Sequence, residues 1–127
     1  MNFKLSILAT LAALTVYLWT IVKVGNARGK YQVKAPATDG PPEFMRALRV
    51  QMNTLEQLPL LLAPLWLCAW VLGDRWGALG GLIWCVGRIV YALAYYRDPA
   101  KRGAGYLISA GACLLLMAGT LVGVVRL

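Results

Sequence analysis

The sequence predicts an all-α integral membrane protein built as a four-helix bundle. Of its 127 residues, 60% are hydrophobic and 14% are charged, whereas soluble domains average about 45–50% apolar and about 25% charged residues. Four apolar stretches approach the roughly 20 residues that a helix needs to cross a bilayer. We therefore expect one membrane domain over residues 1–127, with spans near residues 3–24, 43–72, 76–97 and 103–125.

The first two spans are both uncharged but differ in length. The run over residues 5–22 is longer than the 7–15 apolar residues of a signal peptide, so we expect it to be a retained span. The second run, residues 57–72, is short for a span. Its helix is expected to begin near Pro42, because proline suits the first helical position and Glu43 suits the first turn.

The third run contains one charge and the fourth contains none. Arg88 follows the 12 uncharged residues 76–87, and an arginine at such a depth costs about 2.5–3.5 kcal/mol on insertion scales. Glu56 is the acid nearest the start of an apolar span. We therefore expect a compensating pair between Arg88 and Glu56.

The distribution of basic residues predicts the orientation in the membrane. The chain has 13 Lys and Arg against 5 Asp and Glu, and most of the basic residues fall in the loops after the first and third spans. By the positive-inside rule these two loops face the cytoplasm and both termini face away from it. Topology thus accounts for most of the net charge of +8, and no nucleic-acid partner is expected. The short loops favour a bacterial inner membrane.

The absence of histidine excludes several reaction classes. Without it there is no His general base, no Ser-His triad and no ordinary zinc site, so we expect no metal. Cys68, Cys85 and Cys113 lie singly in apolar runs, which indicates buried thiols rather than a disulfide scaffold.

Polar residues recur on one face of the second helix and one face of the third. In the second they are spaced three, four and three apart: Arg46, Arg49, Asn53 and Glu56. In the third they are spaced three and four apart: Arg88, Tyr91 and Tyr95. One interpretation is a solvated helix face. The other is a binding site, since guanidinium groups suit carboxylates and Glu suits an ammonium group; this leaves glutathione, amino acids and phosphorylated lipids open.

Two motifs resemble those of the MAPEG family, the membrane-associated proteins in eicosanoid and glutathione metabolism. The first runs Gly40-Pro41-Pro42-Glu43-Phe44 and continues as Arg46-x-x-Arg49-x-Gln51-x-Asn53-x-x-Glu56-x-x-Pro59. The second is Arg88-x-x-Tyr91-x-x-x-Tyr95, followed seven residues later by Arg102. The likeness is strongest to the microsomal glutathione transferase and cysteinyl-leukotriene synthase branch.

The resemblance implies a homotrimer that binds glutathione as co-substrate between subunits, on the cytoplasmic side, and takes a lipophilic electrophile from the membrane lipid. One subunit would contribute five glutathione contacts: Arg49, Asn53, Glu56, Tyr91 and Tyr95. The adjacent subunit would contribute Arg28 and Gln51, and Arg102 matches the arginine that activates the thiol. Arg46 and Arg88 match motif arginines with a more structural role.

The implied function is that of a membrane-bound glutathione transferase, with peroxidase activity left open. The alternative is a non-catalytic lipid-binding scaffold of the same family, although such scaffolds lack much of the glutathione set. A small four-span exporter is disfavoured, because those proteins centre on an acid that the first span lacks. Two positions depart from the branch: Gln57 stands where it has tyrosine, and Gly29 where it has a second arginine. The second change argues against leukotriene chemistry.

Overall fold

A computed structural model describes residues 2–127 and contains four long helices. They are α1 (Lys4–Tyr31), α2 (Pro42–Val71), α3 (Asp74–Arg97) and α4 (Gly103–Val125), with a short 3-10 turn at Pro99–Lys101. All four helices are long and apolar enough to cross a membrane. The predicted all-α, four-helix membrane bundle is confirmed, and the chain is a multi-pass integral membrane protein.

The helices α1 and α2 are longer than the hydrocarbon core of a bilayer. α1 continues to Tyr31, seven residues past the expected end of the first span, and α2 begins at Pro42 and continues through Pro59 and Pro64. At 1.5 Å per residue the two helices measure about 42 and about 45 Å, against about 30 Å of hydrocarbon. Their extra turns can therefore carry polar residues at the membrane boundary.

Helix α3 lies against all three other helices, and glycines allow the close approach. A Cβ on Gly77 would lie 2.7 Å from the Leu65 carbonyl oxygen of α2. One on Gly87 would lie 2.6 Å from the backbone nitrogen of Ser109 in α4. Small residues on α3 thus allow its backbone to pack closely against α2 and α4.

Two sets of contacts between helix ends establish the topology. The Asp74 carboxylate, at the start of α3, accepts hydrogen bonds from the backbone N–H groups of Leu5 at 3.0 Å and Ser6 at 2.8 Å. At the other end, Arg46 Nη1 of α2 donates to the Tyr96 carbonyl of α3 at 3.4 Å. The start of α1 and the α2–α3 turn therefore share one end, and the two basic loops share the opposite end.

The core between the helices is apolar and contains the cysteines. Trp84, Leu61 and Leu65 are fully buried in it. Cys68, Cys85 and Cys113 are all buried and free, in agreement with their predicted role as small apolar side chains.

Candidate functional site

A polar cavity of about 240 Å³ opens at the end of the bundle that carries the basic loops. Three elements contribute to it: α2, the last turns of α3, and the residue that precedes α4. Its lining residues are Arg49, Met52, Asn53, Glu56, Tyr91, Tyr95 and Arg102. The structure thus brings together six of the eight site residues that the sequence singles out.

Helix α2 places a cation and an anion at opposite ends of this polar cavity. Arg49 and Glu56 are seven residues apart, about 10 Å along the helix axis, and both side chains are exposed. Between them lies Asn53, whose Oδ1 atom is buried and has no hydrogen-bond partner within residues 2–127. Because a buried acceptor without a donor is costly, this atom suits an N–H group of a ligand.

Helix α3 contributes two tyrosines that face α2. The rings of Tyr91 and Tyr95 are 5.6 Å apart between centroids, and Tyr91 is only 3% exposed. The Tyr91 ring also packs against Tyr106 of α4, at 6.4 Å between centroids. This packing holds Tyr91 in place as one wall of the polar cavity.

Arg88 lies beneath that wall, and the expected pair with Glu56 is wrong. Its guanidinium carbon is 4.1 Å from the centre of the Tyr91 ring. Its Nη2 donates to Thr54 Oγ1 at 2.8 Å, and its Nη1 donates to Ser109 Oγ at 3.4 Å. Two neutral hydroxyls and one aromatic face, rather than a carboxylate, therefore accommodate this buried cation. Glu56 instead remains exposed at the polar cavity.

Arg102 is the exposed residue at the junction between the 3-10 turn and α4. Its Nη1 donates to the Pro99 carbonyl at 2.7 Å, which fixes part of the guanidinium at the rim. The turn is itself capped, because Asp98 Oδ1 accepts a hydrogen bond from the Ala100 N–H at 3.0 Å. Arg102 thereby presents a positive charge to the polar cavity from a short, well-braced turn.

The other two expected site residues, Arg28 and Gln51, do not line the polar cavity. Arg28 Nη1 donates to the Ala37 carbonyl at 2.7 Å, and its guanidinium carbon lies 5.1 Å from the centre of the Phe44 ring. It thus holds the loop between α1 and α2. Gln51 lies on α2 and is half-buried, and the expectation that both residues serve a neighbouring subunit stays a prediction.

A second, apolar cavity of about 330 Å³ adjoins the polar one along α2 and α4. Both cavities are lined by Asn53 and Glu56, so they meet at that turn of α2. The other residues that line the apolar cavity are Gln57, Leu60, Tyr106, Ala110, Cys113, Leu114 and Met117. An apolar pocket with a few polar groups at one end is the usual form of a site for a lipophilic molecule.

Several contacts around the two cavities were not apparent from the sequence. Thr54 and Ser109 looked like ordinary small residues, yet they bind the Arg88 guanidinium. Gln57 accepts a hydrogen bond from the indole N–H of Trp84. Thr54 directly follows Asn53 on α2, but Ser109 lies on α4, which has no polar stripe, so both contacts are recognisable only once the helices are paired. Over residues 2–127, no group of three or more potential metal ligands is present.

Known proteins resemble this chain over most of its length. The model of the MAPEG family matches residues 6–122. The chain is 37% identical over 102 residues to human microsomal glutathione S-transferase 2, covering 80% of this chain and 67% of the relative. It is 37% identical over 125 residues to leukotriene C4 synthase of Cavia porcellus, covering 97% and 83%. An uncharacterized protein of a Synechocystis strain is 42% identical over 117 residues, covering 92% and 85%.

Proposed function

Because the chain belongs to the MAPEG family, we propose that it is a membrane-bound glutathione transferase, which activates the thiol of glutathione for attack on lipophilic electrophiles. The names of the relatives, glutathione transferase and leukotriene C4 synthase, support a conjugating enzyme. The single observation that carries the proposal is the meeting of six motif residues in one polar cavity. A solvated helix face would not require residues from α2, α3 and the start of α4 to converge.

The charges of the polar cavity complement those of glutathione, which has two carboxylates, one ammonium group and two peptide bonds. Arg49 offers paired N–H donors to a carboxylate, and Glu56 offers a partner to the ammonium group. The buried Asn53 Oδ1 lacks a donor within the described chain, which a peptide N–H of the ligand would supply. Tyr91 and Tyr95 would close the site from the α3 side.

Arg102 would activate the thiol by electrostatics rather than by proton abstraction. A free thiol with a pKa of about 8.5 is only about 3% ionised at neutral pH. A guanidinium beside the sulfur favours the anion, and each unit by which the pKa falls corresponds to about 1.4 kcal/mol. A shift of about two units makes the thiolate the major species, and the thiolate is the nucleophile. No general base is needed in a sequence without histidine.

The apolar cavity would receive the electrophile from the lipid. It joins the polar cavity at Asn53 and Glu56, so a lipophilic substrate that enters between helices reaches the thiolate without crossing water. The sulfur forms a bond to the electrophilic carbon, and the displaced electron pair leaves on the leaving group or moves to a neighbouring oxygen. A hydroperoxide substrate would instead be reduced at its O–O bond, at the expense of two glutathione molecules.

The assembly that we propose is a homotrimer with the polar cavity on the cytoplasmic face of a bacterial inner membrane. The cavity is only about 240 Å³, slightly less than the roughly 300–1,000 Å³ of typical ligand pockets. Arg28 and Gln51 of one subunit do not line that subunit's own polar cavity. A neighbouring subunit would complete the cavity with its Arg28 and Gln51. Nine basic residues, in the two loops at this end and in the helix turns that flank them, support the cytoplasmic orientation.

The direct test compares two neighbouring cations in the purified oligomer. Arg102→Ala is expected to lower turnover with a model electrophile by about 100-fold, the usual effect of removing one electrostatic stabiliser, and to leave the dissociation constant of glutathione within a few-fold. Lys101→Ala is the matched control, because Lys101 is an exposed cation of the same turn that does not line the polar cavity. Equal loss of binding and turnover, or no loss of either, would contradict the role of Arg102.

A further inference from the structure

The apolar cavity contains a buried amide whose orientation is fixed. Gln57 is 6% exposed and Trp84 is 0% exposed. The indole Nε1 of Trp84 donates to Gln57 Oε1 at 3.0 Å. Because an indole N–H can only donate, this contact determines which end of the amide is the oxygen and which is the NH₂ group.

The amide nitrogen of Gln57 is therefore a donor without an acceptor. Within residues 2–127 no hydrogen bond from Nε2 is present, while Gln57 lines the apolar cavity. Oε1 is engaged by Trp84, so the NH₂ group is the part of the side chain left to face the cavity. A donor in apolar surroundings gains most from a ligand that brings an acceptor oxygen.

This donor lies where the two cavities meet. Gln57 directly follows Glu56 and comes one helical turn after Asn53, and these two residues line both cavities. An oxygen near the reacting end of a bound electrophile would therefore be within reach of Gln57. The far end of the apolar cavity, near Leu114 and Met117, would take an alkyl chain.

We propose that Gln57 is a further catalytic residue, whose amide N–H stabilises the oxygen of an α,β-unsaturated carbonyl lipid during conjugate addition. The inference rests on the proposed function, because it needs the glutathione thiolate as nucleophile. The sulfur forms a bond to the β-carbon, the C=C π pair shifts toward the carbonyl, and the resulting enolate oxygen accepts the hydrogen bond from Nε2. Water then supplies the proton to the α-carbon, which balances the proton lost earlier from the thiol.

Trp84 is a positioning residue in this scheme. Its indole N–H holds Oε1 away from the reacting oxygen, and without it the amide can rotate and present an acceptor instead of a donor. A preorganised donor aimed at developing negative charge is worth far more than one that must reorient. Electrophiles that carry no oxygen gain nothing from the arrangement.

The experiment measures kcat/KM for two electrophiles in the purified full-length oligomer: a long-chain 2-alkenal and benzyl chloride, which has no acceptor oxygen. Gln57→Met keeps the length of the side chain and removes the amide. We expect it to lower kcat/KM for the alkenal by about 100-fold and to leave benzyl chloride within about threefold. Trp84→Phe keeps the Gln57 amide but removes the hydrogen bond that holds it. We expect this variant to lower kcat/KM for the alkenal by a smaller factor and to leave kcat/KM for benzyl chloride unchanged. Leu58→Met is the control for altered packing, because Leu58 is the buried neighbour of Gln57 on α2 and lines neither cavity.

The outcomes separate this inference from the function on which it rests. Equal loss with both electrophiles, an unchanged alkenal rate, or weaker glutathione binding in Gln57→Met would overturn the role of Gln57 while conjugation itself stands. A wild-type protein that binds no glutathione and conjugates neither electrophile would overturn the proposed function and this inference together. Selective loss of alkenal activity, with glutathione binding unchanged, supports both.

Discussion

The bond between Arg88 and Thr54 leads to a stability prediction whose size follows from the structure. Arg88 is 1% exposed, and its one short hydrogen bond is the 2.8 Å contact from Nη2 to Thr54 Oγ1. The contact to Ser109 is longer, at 3.4 Å, and the Nε atom has no partner within residues 2–127. Thr54→Val keeps the shape of the side chain and leaves the guanidinium without its best acceptor. Because hydrogen bonds to charged groups contribute about 1.5–3 kcal/mol, we expect a loss of about 2 kcal/mol.

Reversible unfolding in mixed detergent micelles, followed by circular dichroism, measures this loss. A loss of about 2 kcal/mol corresponds to a roughly 30-fold change in the folding equilibrium. Thr54→Ser retains the hydroxyl and removes one methyl group, so we expect about 0.8 kcal/mol from that variant. In an Arg88→Met background, Thr54→Val should cost little, since a double-mutant cycle isolates the pair. A Thr54→Val variant as stable as the wild type, or a cycle without coupling, would refute this account of the buried cation.

Three further predictions concern the helix ends, the packing and the assembly. Asp74→Ala removes the acceptor for two backbone N–H groups at the start of α1 and should lower the free energy of unfolding in the same assay, with Asp74→Asn lowering it less. Gly105→Ala would press a methyl group into the backbone of α3 and should lower the free energy of unfolding by about 1–3 kcal/mol. The control is Gly103→Ala, which has no neighbouring atom within 4 Å and should not change the thermal denaturation. Chains with Gln51→Glu and chains with Arg49→Ala are each expected to be inactive alone. If the sites lie between subunits of a trimer, co-expression of the two chains should restore about a quarter of the wild-type activity. No recovery would place both residues in the site of one subunit.

Much of the fold was predictable because each helix can be recognised from its own stretch of sequence. An uninterrupted run of about 20 apolar residues forms a helix in lipid, since a helix hydrogen-bonds its backbone groups within the segment. Pro42 and Glu43 indicated the start of α2 for the same local reason. The end of α1 was less predictable: Gly25 and Gly29 do not interrupt the helix, which continues to Tyr31 past the apolar run.

The candidate site was predictable within each helix and not between helices. Spacing correctly grouped Arg49, Asn53 and Glu56, because periodicity determines which residues share a face. Spacing alone could not determine which residue of α2 lies beside Arg88. The expected partner was Glu56, whereas the residue that accepts the hydrogen bond is Thr54. Distances across the bundle depend on the vertical offset between helices, and a single sequence does not contain that quantity.

The ionisation state of the bound glutathione sulfur is the most direct test of thiol activation by Arg102. The ultraviolet difference spectrum of the purified protein with glutathione is recorded across pH, for the wild type and for Arg102→Ala. We predict a saturable thiolate band at neutral pH, which disappears as the pH falls through a thiol pKa below its ordinary value of about 8.5. In Arg102→Ala the band should appear only at higher pH, while glutathione still binds. Bound glutathione that remains a thiol at neutral pH in the wild type, or an unchanged band in the variant, would contradict thiol activation by Arg102.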